Sequence, residues 1–157
     1  MSYTPVKIVD FQETHVAVLE HRGDPALIDH SVRTFITWRR SVGLSPGISA
    51  TFNIFYGHPT TTAPENFRLD LCAATEHTIA PNDAGIVARL IPGGRCAVLR
   101  HTGSDEGLAA AASYLCRDWL PQSGEERRDF PLYCQRVHFF PEVPATAAIT
   151  DIFLPLQ

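Results

Sequence analysis

The sequence predicts an α+β fold with antiparallel strand pairing, and two observations carry that prediction. The first is a duplication. Residues 17–23 read Ala-Val-Leu-Glu-His-Arg-Gly and residues 97–103 read Ala-Val-Leu-Arg-His-Thr-Gly, a shared AVL-x-H-x-G at a shift of 80 positions. Trp38 with Trp119, and Asp70 with Asp151, repeat at a shift of 81. The second is the order of periodicities: each copy reads as four strands and one helix, which favours antiparallel sheets covered on one side by helices. The chain is therefore one domain, 1–157, built from repeat units of about 1–80 and 84–157. Two copies packed about a pseudo-two-fold axis leave a seam, and a seam is where a ligand can sit.

Residues 5–11 suit a short strand, and residues 15–22, rich in β-branched and apolar side chains, suit a second. Gly23 punctuates, then Asp24-Pro25 supplies a capping side chain and a proline at the first helical position. Ile28, Val32, Phe35, Ile36 and Arg39 fall on one helical face, with Trp38 on its flank, and Gly43 stops the helix after about Val42. Pro46-Gly47 is a turn, 50–56 a strand, 57–66 a loop, and 67–76 a strand with Phe67, Leu69 and Leu71 on one face and Arg68, Asp70 and Cys72 on the other. In the second copy, 86–92 is a strand, Gly93-Gly94 a tight hairpin turn, and 95–101 the strand that pairs back. Ser104 is the expected cap of the second helix, with Leu108, Ala112, Leu115 and Trp119 on its inner stripe and Pro121 at its end. Residues 131–139 and 148–154 complete the copy around a Pro-rich loop at 141–146.

Composition narrows the function classes. The 157 residues carry 13 basic and 17 acidic side chains, a net charge of −4, which argues against direct nucleic-acid binding by this chain. Arg39-Arg40 and Arg127-Arg128 read as solvated faces. No apolar run approaches the ~20 residues of a membrane span, and no secretory signal is visible at the N-terminus. Cys72, Cys96, Cys116 and Cys134 form no CxxC pair, so they read as reduced, buried thiols in a cytoplasmic protein. The initiating Met and the early first strand favour a free-standing protein.

Several stretches together resemble a known family. They are Val18-Leu19-Glu20-His21-Arg22-Gly23; Phe55-Tyr56-Gly57-His58-Pro59 followed by Phe67-Arg68-Leu69-Asp70; Gly93-Gly94 before Ala97-Val98-Leu99-Arg100-His101-Thr102-Gly103; and the ending Thr150-Asp151-Ile152-Phe153-Leu154-Pro155-Leu156. In that order and spacing they are similar to the GyrI-like (gyrase-inhibitor-like) small-molecule-binding domains. These also form effector-binding domains of AraC-type and MerR-type transcription regulators. The resemblance implies two βαββ units making a cupped, antiparallel eight-stranded sheet with two helices. It implies a hydrophobic, often cationic or aromatic, small molecule in the cleft between the units; no cofactor is expected. It also implies two alternatives: inhibition of DNA gyrase by protein contact, or hydrolysis of electrophilic cyclopropane toxins. A DNA-binding domain or gyrase is the macromolecular partner it suggests.

One departure from the family shapes these expectations. The family often has a Phe-Glu-x-Tyr motif on the strand after the second helix, where the Glu attracts a cation or works with the Tyr. Here the strand reads Pro131-Leu132-Tyr133-Cys134-Gln135-Arg136, with Cys134 aligned on the Glu and Arg136 on the Tyr. A neutral thiol cannot offset a buried cation, and an arginine favours a neutral or anionic ligand. No catalytic residue is assigned; Glu20 and Glu76 are the best carboxylates left for the hydrolase alternative. The expected ligand contacts are Trp38, Phe52, Tyr56, Glu20, His21, His101, Tyr114, Trp119, Cys134 and Arg136. His21 and His101 lack the short-spaced partners of a metal site. Their more frequent reading is a structural task at a strand end. Arg68-x-Asp70 reads as an ion-pair network locking its strand, and Glu20 against Arg100 breaks the symmetry of the repeat.

Overall fold

A computed structural model of the chain describes residues 3–57, 62–139 and 141–157. The loop expected at 57–66 and the motif residues His58-Pro59 thus lie partly outside the described residues. Among the described residues there are eight strands and two helices: β1 (Lys7–Phe11), β2 (Thr14–Arg22), α1 (Ile28–Ser41), β3 (Thr51–Phe55), β4 (Arg68–Ala74), β5 (Val87–Ile91), β6 (Gly94–Thr102), a second helix α2 that starts at Leu108, β7 (Tyr133–His138) and β8 (Ile149–Pro155). All described strand pairs are antiparallel, as expected of the α+β class.

The chain forms two compact units, Glu13–Pro92 and Met1–Gln12 with Gly93–Gln157. In the first, β4 pairs with both β3 and β2, and β2 pairs on its other side with β5. In the second, β6 pairs with β1 and β8, and β8 pairs with β7. The first strand of each sequence copy therefore belongs to the unit built by the other copy.

That exchange corrects the expected hairpin at Gly93-Gly94: β5 pairs with β2, and β6 with β1. Gly94 serves a different purpose. Gly94 has φ +140° and a Cβ there would lie 3.1 Å from Arg128 Cζ. The Arg128 guanidinium donates to the carbonyls of Gly93 (3.1 Å) and Leu156 (3.2 Å). Glycine is needed here as a seat for a side chain from a distant loop, and Arg128 is a structural cation rather than part of a solvated face.

The core of unit 13–92 joins Ala17, Leu69, Leu71 and Ala73 of the sheet, and Phe67 just before β4, to Phe35 and Trp38 of α1. Asp24 caps the entry to the helix, its carboxylate accepting from Ala26 N at 2.9 Å, and Gly43 at φ +76° follows its end. The buried stripe of α1 is Phe35, Trp38 and Arg39, while Ile36 is exposed. The stripe advances by three and four residues, and Trp38 rather than Ile36 fills its next place. Arg39 is buried and donates to the carbonyls of Leu44 (2.7 Å) and Ser49 (2.9 Å) and to Thr51 Oγ1 (2.8 Å). Burial lowers its pKa to about 10, and the three acceptors offset part of that cost. It fixes the passage from α1 into β3.

In the other unit, Tyr133 and Phe153 stack with centroids 5.0 Å apart, and Phe11 of β1 meets both edge-on at 5.2 and 5.3 Å. α2 runs as Leu108–Ser113, a π-helical turn Tyr114–Trp119, and a last α-turn Leu120–Ser123. Pro121 does not end it. The widened turn lets Leu120 N–H reach Leu115 O, five residues back, so the ladder already departs from the i−4 pattern that a proline breaks. Gly124 at φ +77° ends the helix. Its buried residues are Leu108, Ala111 and Leu115; Ala112 and Trp119, expected inside, are half-buried. Ser104 makes no side-chain cap bond.

Candidate functional site

Strand alternation sorts the expected contacts by face. Ala17 and Leu19 of β2 pack toward α1, so Val18, Glu20 and Arg22 lie on the opposite face. Register places Glu20 and Ile54 on either side of Asp70, and Val18 and Phe52 on either side of Cys72. Glu20 and Tyr56 thus gather around Asp70, whose expected task is structural, while Phe52 lies two residues along the ladder, opposite Cys72. Asp70 is only 2% exposed. Its carboxylate accepts from Tyr56 Oη (2.9 Å) and Arg22 Nη1 (3.1 Å). Arg22 Nη2 also holds Glu20 at 2.8 Å, and Arg89 approaches Glu20 at 3.6 Å. Arg68 is not paired with Asp70 as expected; its guanidinium lies 4.0 Å from the centroid of the Tyr56 ring. Burial, then the Asp70 charge and the hydrogen bond to it, push the Tyr56 phenol up to about 12, against the pull of Arg68. Phenol and acid are held as a donor–acceptor pair.

The matching position of the other unit shows what the Glu20/Arg100 difference does. Arg100 lies opposite Asp151 and grips it bidentately at 2.8 and 3.0 Å, which raises the arginine pKa. In the first unit the equivalent place holds Glu20. Two carboxylates then face each other across β2 and β4, and Arg22, two residues on, reaches back to both. Glu76, the other acid considered for hydrolysis, is exposed beyond β4.

The paired histidines have duplicated structural partners. His21 Nε2 lies 3.1 Å from Asp24 O and Nδ1 lies 2.8 Å from Ser31 Oγ. With Nε2 donating, Nδ1 of the neutral ring accepts from the serine. His101 Nε2 lies 2.8 Å from Ser104 O. Each ring ties the end of a strand to the carbonyl three residues on, where the helical segment begins. Among the described residues no group of three or more His, Cys, Asp or Glu has metal-holding geometry.

The remaining contacts are scattered. Cys134 is fully buried beside Ile152 on β8, and Arg136 on the same face of β7 reaches Asp105 at 2.6 Å. Tyr114 stacks on Tyr3 at 4.5 Å, and Trp119 is half-buried on α2.

Trp38, by contrast, lines a groove. An open groove of about 430 Å³ within unit 13–92 has His30, Arg33, Thr34, Thr37, Trp38 and Ser41 of α1 on one wall and Asn82, Asp83 and Ala84 on the other. Of the helix wall, the sequence singled out Trp38, on the flank of the expected apolar face. The loop wall was not legible, because it lies more than 40 residues further along the chain. The groove is separate from the Tyr56–Asp70 cluster, and no residue is common to both.

Comparison with known proteins agrees with the fold. The model of the GyrI-like small molecule binding domain matches residues 4–157. The "Probable transcriptional regulator YgiV" of Escherichia coli (strain K12) is 39% identical over 152 residues, covering 96% of this chain and 95% of that protein. The crystal structure of the EcmrR C-terminal domain superposes with a TM-score of 0.74 at 17% identity, covering 100% of this chain and 99% of that one. The EcmrR chain in a cryo-EM structure of an EcmrR–DNA complex superposes with a TM-score of 0.76 at 15% identity; there the match covers 98% of this chain but 57% of the EcmrR chain. The duplicated units, their strand order and these matches lead to one conclusion: the chain belongs to the GyrI-like small-molecule-binding family.

Proposed function

We propose that this chain senses or sequesters a small, largely apolar or aromatic organic molecule, as the effector domain of a transcription regulator or as a free-standing sensor. The observation that carries the proposal is the 39% identity to a probable transcriptional regulator along nearly the whole length of both proteins. The charge pattern supports a sensing rather than a DNA-gripping role. The net charge is −4, and Arg22, Arg89, Arg95, Arg100 and Arg136 are each engaged with a carboxylate. Contact with DNA would fall to a separate DNA-binding partner.

The same pairings bear on the ligand. Asp70 already holds Arg22 and Tyr56, and Asp151 holds Arg100. A lipophilic cation would have to displace an internal cation to use either acid. A neutral or amphoteric aromatic ligand avoids that cost. The test is a thermal-shift panel of lipophilic cations, neutral aromatics, anions and zwitterions at high micromolar concentration. A true ligand at a hundred times its Kd stabilises by about 2.7 kcal/mol, a rise of roughly 5–10 °C for a chain of this size. Silence across the whole panel would remove the proposal.

A further inference from the structure

We propose that the groove between α1 and the 82–84 loop is a binding site for a small zwitterion with a flat apolar body. An aromatic amino acid is the simplest member of that class. The inference rests on the small-molecule-binding reading above and adds a location and a ligand chemistry to it.

The two walls carry opposite charge that is not used internally. Arg33 and His30 stand on the helix wall and Asp83 on the loop wall. Among the described residues none of the three forms an ion pair or a side-chain hydrogen bond. Arg33 and Asp83 thus line one groove without pairing with each other, which leaves both charges to a ligand that bears both signs. A carboxylate would meet the guanidinium fork of Arg33, and an ammonium group would meet Asp83.

The floor supplies the apolar contact. Trp38 is only 9% exposed, yet its indole N–H has no hydrogen-bond partner among the described residues. A buried tryptophan usually finds one. Among the described residues every fully buried side-chain nitrogen and oxygen is partnered, so this N–H keeps contact with solvent on a residue that lines the groove. It offers one donor beside an aromatic surface, with Ala84 opposite. Phe35 stacks behind the indole at 6.1 Å with planes 9° apart, and holds its orientation.

The loop wall is fixed before any ligand arrives. Asn82 Oδ1 accepts from Ile86 N (2.9 Å), and Nδ2 donates to Ile86 O (3.0 Å) and Ala80 O (3.1 Å). Gly85 at φ +80° completes the turn, and Ile86 is buried in the core. Asp83 therefore stands at the tip of a braced turn, so little ordering entropy is lost on binding. The volume, about 430 Å³, lies in the usual range for small-ligand sites, which runs from about 300 to 1,000 Å³.

Isothermal titration of the full chain with L-tryptophan, tryptamine and indole-3-acetate tests the charge requirement. L-tryptophan is expected to bind at least tenfold more tightly than either analogue. Arg33→Gln is expected to weaken L-tryptophan and indole-3-acetate at least fivefold and leave tryptamine unchanged. Asp83→Asn is expected to weaken L-tryptophan and tryptamine and leave indole-3-acetate unchanged. Both side chains are exposed, so unchanged melting temperatures of the free variants will verify folding. Equal affinity for the three probes, no effect of either substitution, or no binding at millimolar probe each overturns the inference. If the broad thermal-shift panel still yields a stabilising compound, only this site assignment falls. If that panel is silent too, the small-molecule reading falls with it.

Discussion

At the scale of single residues, the informative feature is the buried acid that a tyrosine and an arginine share. Alternation placed Asp70 on the face opposite Leu69 and Leu71, so its side was legible in the sequence. Its partners were not, because Arg22 and Tyr56 lie 48 and 14 residues away and only the strand register brings them together. The geometry makes Tyr56 a donor. Its folded pKa of about 12 lies above its ordinary value of 10.0. Between those values the folded state keeps a proton that the unfolded state has lost. The stabilisation from this bond is therefore full below pH 10 and declines as pH rises toward 12. Tyr56→Phe removes the hydrogen bond and leaves buried Asp70 with one donor fewer, so it should cost about 1–2 kcal/mol at neutral pH. Urea unfolding of both proteins checks the cost. Absorbance at 295 nm, followed as the wild type is titrated, should show one tyrosine ionising near pH 12 that is absent from the variant. If Tyr56→Phe leaves both the stability and the titration unchanged, the Asp70–Tyr56 bond does not hold in solution.

Secondary-structure elements were legible where local chemistry decides them and misread where distant packing does. Asp24-Pro25 opened α1 and Gly43 closed it, as cap and stop signals require. The Gly93-Gly94 pair looked like a hairpin because local rules describe turns and cannot show Arg128 arriving from a loop more than 30 residues on. Pro121 looked like a helix end because the π-helical turn before it has no periodic signature. The candidate site divided in the same way. Trp38 stood out by type and helical position, while Asp83, on an ordinary polar loop, did not. Gly107 shows how tightly an element can depend on a neighbour. It sits where the chain enters α2, and a Cβ there would lie 2.8 Å from His101 Cε1. The ring cannot swing away without breaking its bond to Ser104 O. Gly107→Ala should destabilise by about 1–3 kcal/mol through this overlap. Adding His101→Ala removes the obstacle, so the double variant should be more stable than the sum of the two single losses by at least about 0.5 kcal/mol. Strict additivity in denaturant unfolding would show that the imidazole is not what excludes a side chain at 107.

For the whole molecule, the exchange of first strands makes one compact unit an insertion within the other. The unit formed by β1, β6, α2, β7 and β8 is interrupted by the 80 residues from 13 to 92. Pairing Phe11 with Gly94 in β1–β6 requires the ends of that insertion to meet. In an unfolded insertion, closing so long a loop costs on the order of 4 kcal/mol. A folded insertion removes most of that cost, because Thr14 at its start already lies opposite Ile91 at its end. The stability of the interrupted unit is thus coupled to the folding of the inserted one. The two tryptophans report on the units separately: Trp38 belongs to the inserted unit and Trp119 to the other. Leu71→Ala empties part of the inserted unit's core and should cost about 2–4 kcal/mol. Made in a Trp38→Phe background, where only Trp119 fluoresces, it should lower the urea midpoint of the Trp119 signal. In a Trp119→Phe background it should lower the midpoint of the Trp38 signal by a similar amount. If Leu71→Ala moved the Trp38 transition and left that of Trp119 in place, the units would fold independently, and β1 would hold to β6 without help from the inserted chain.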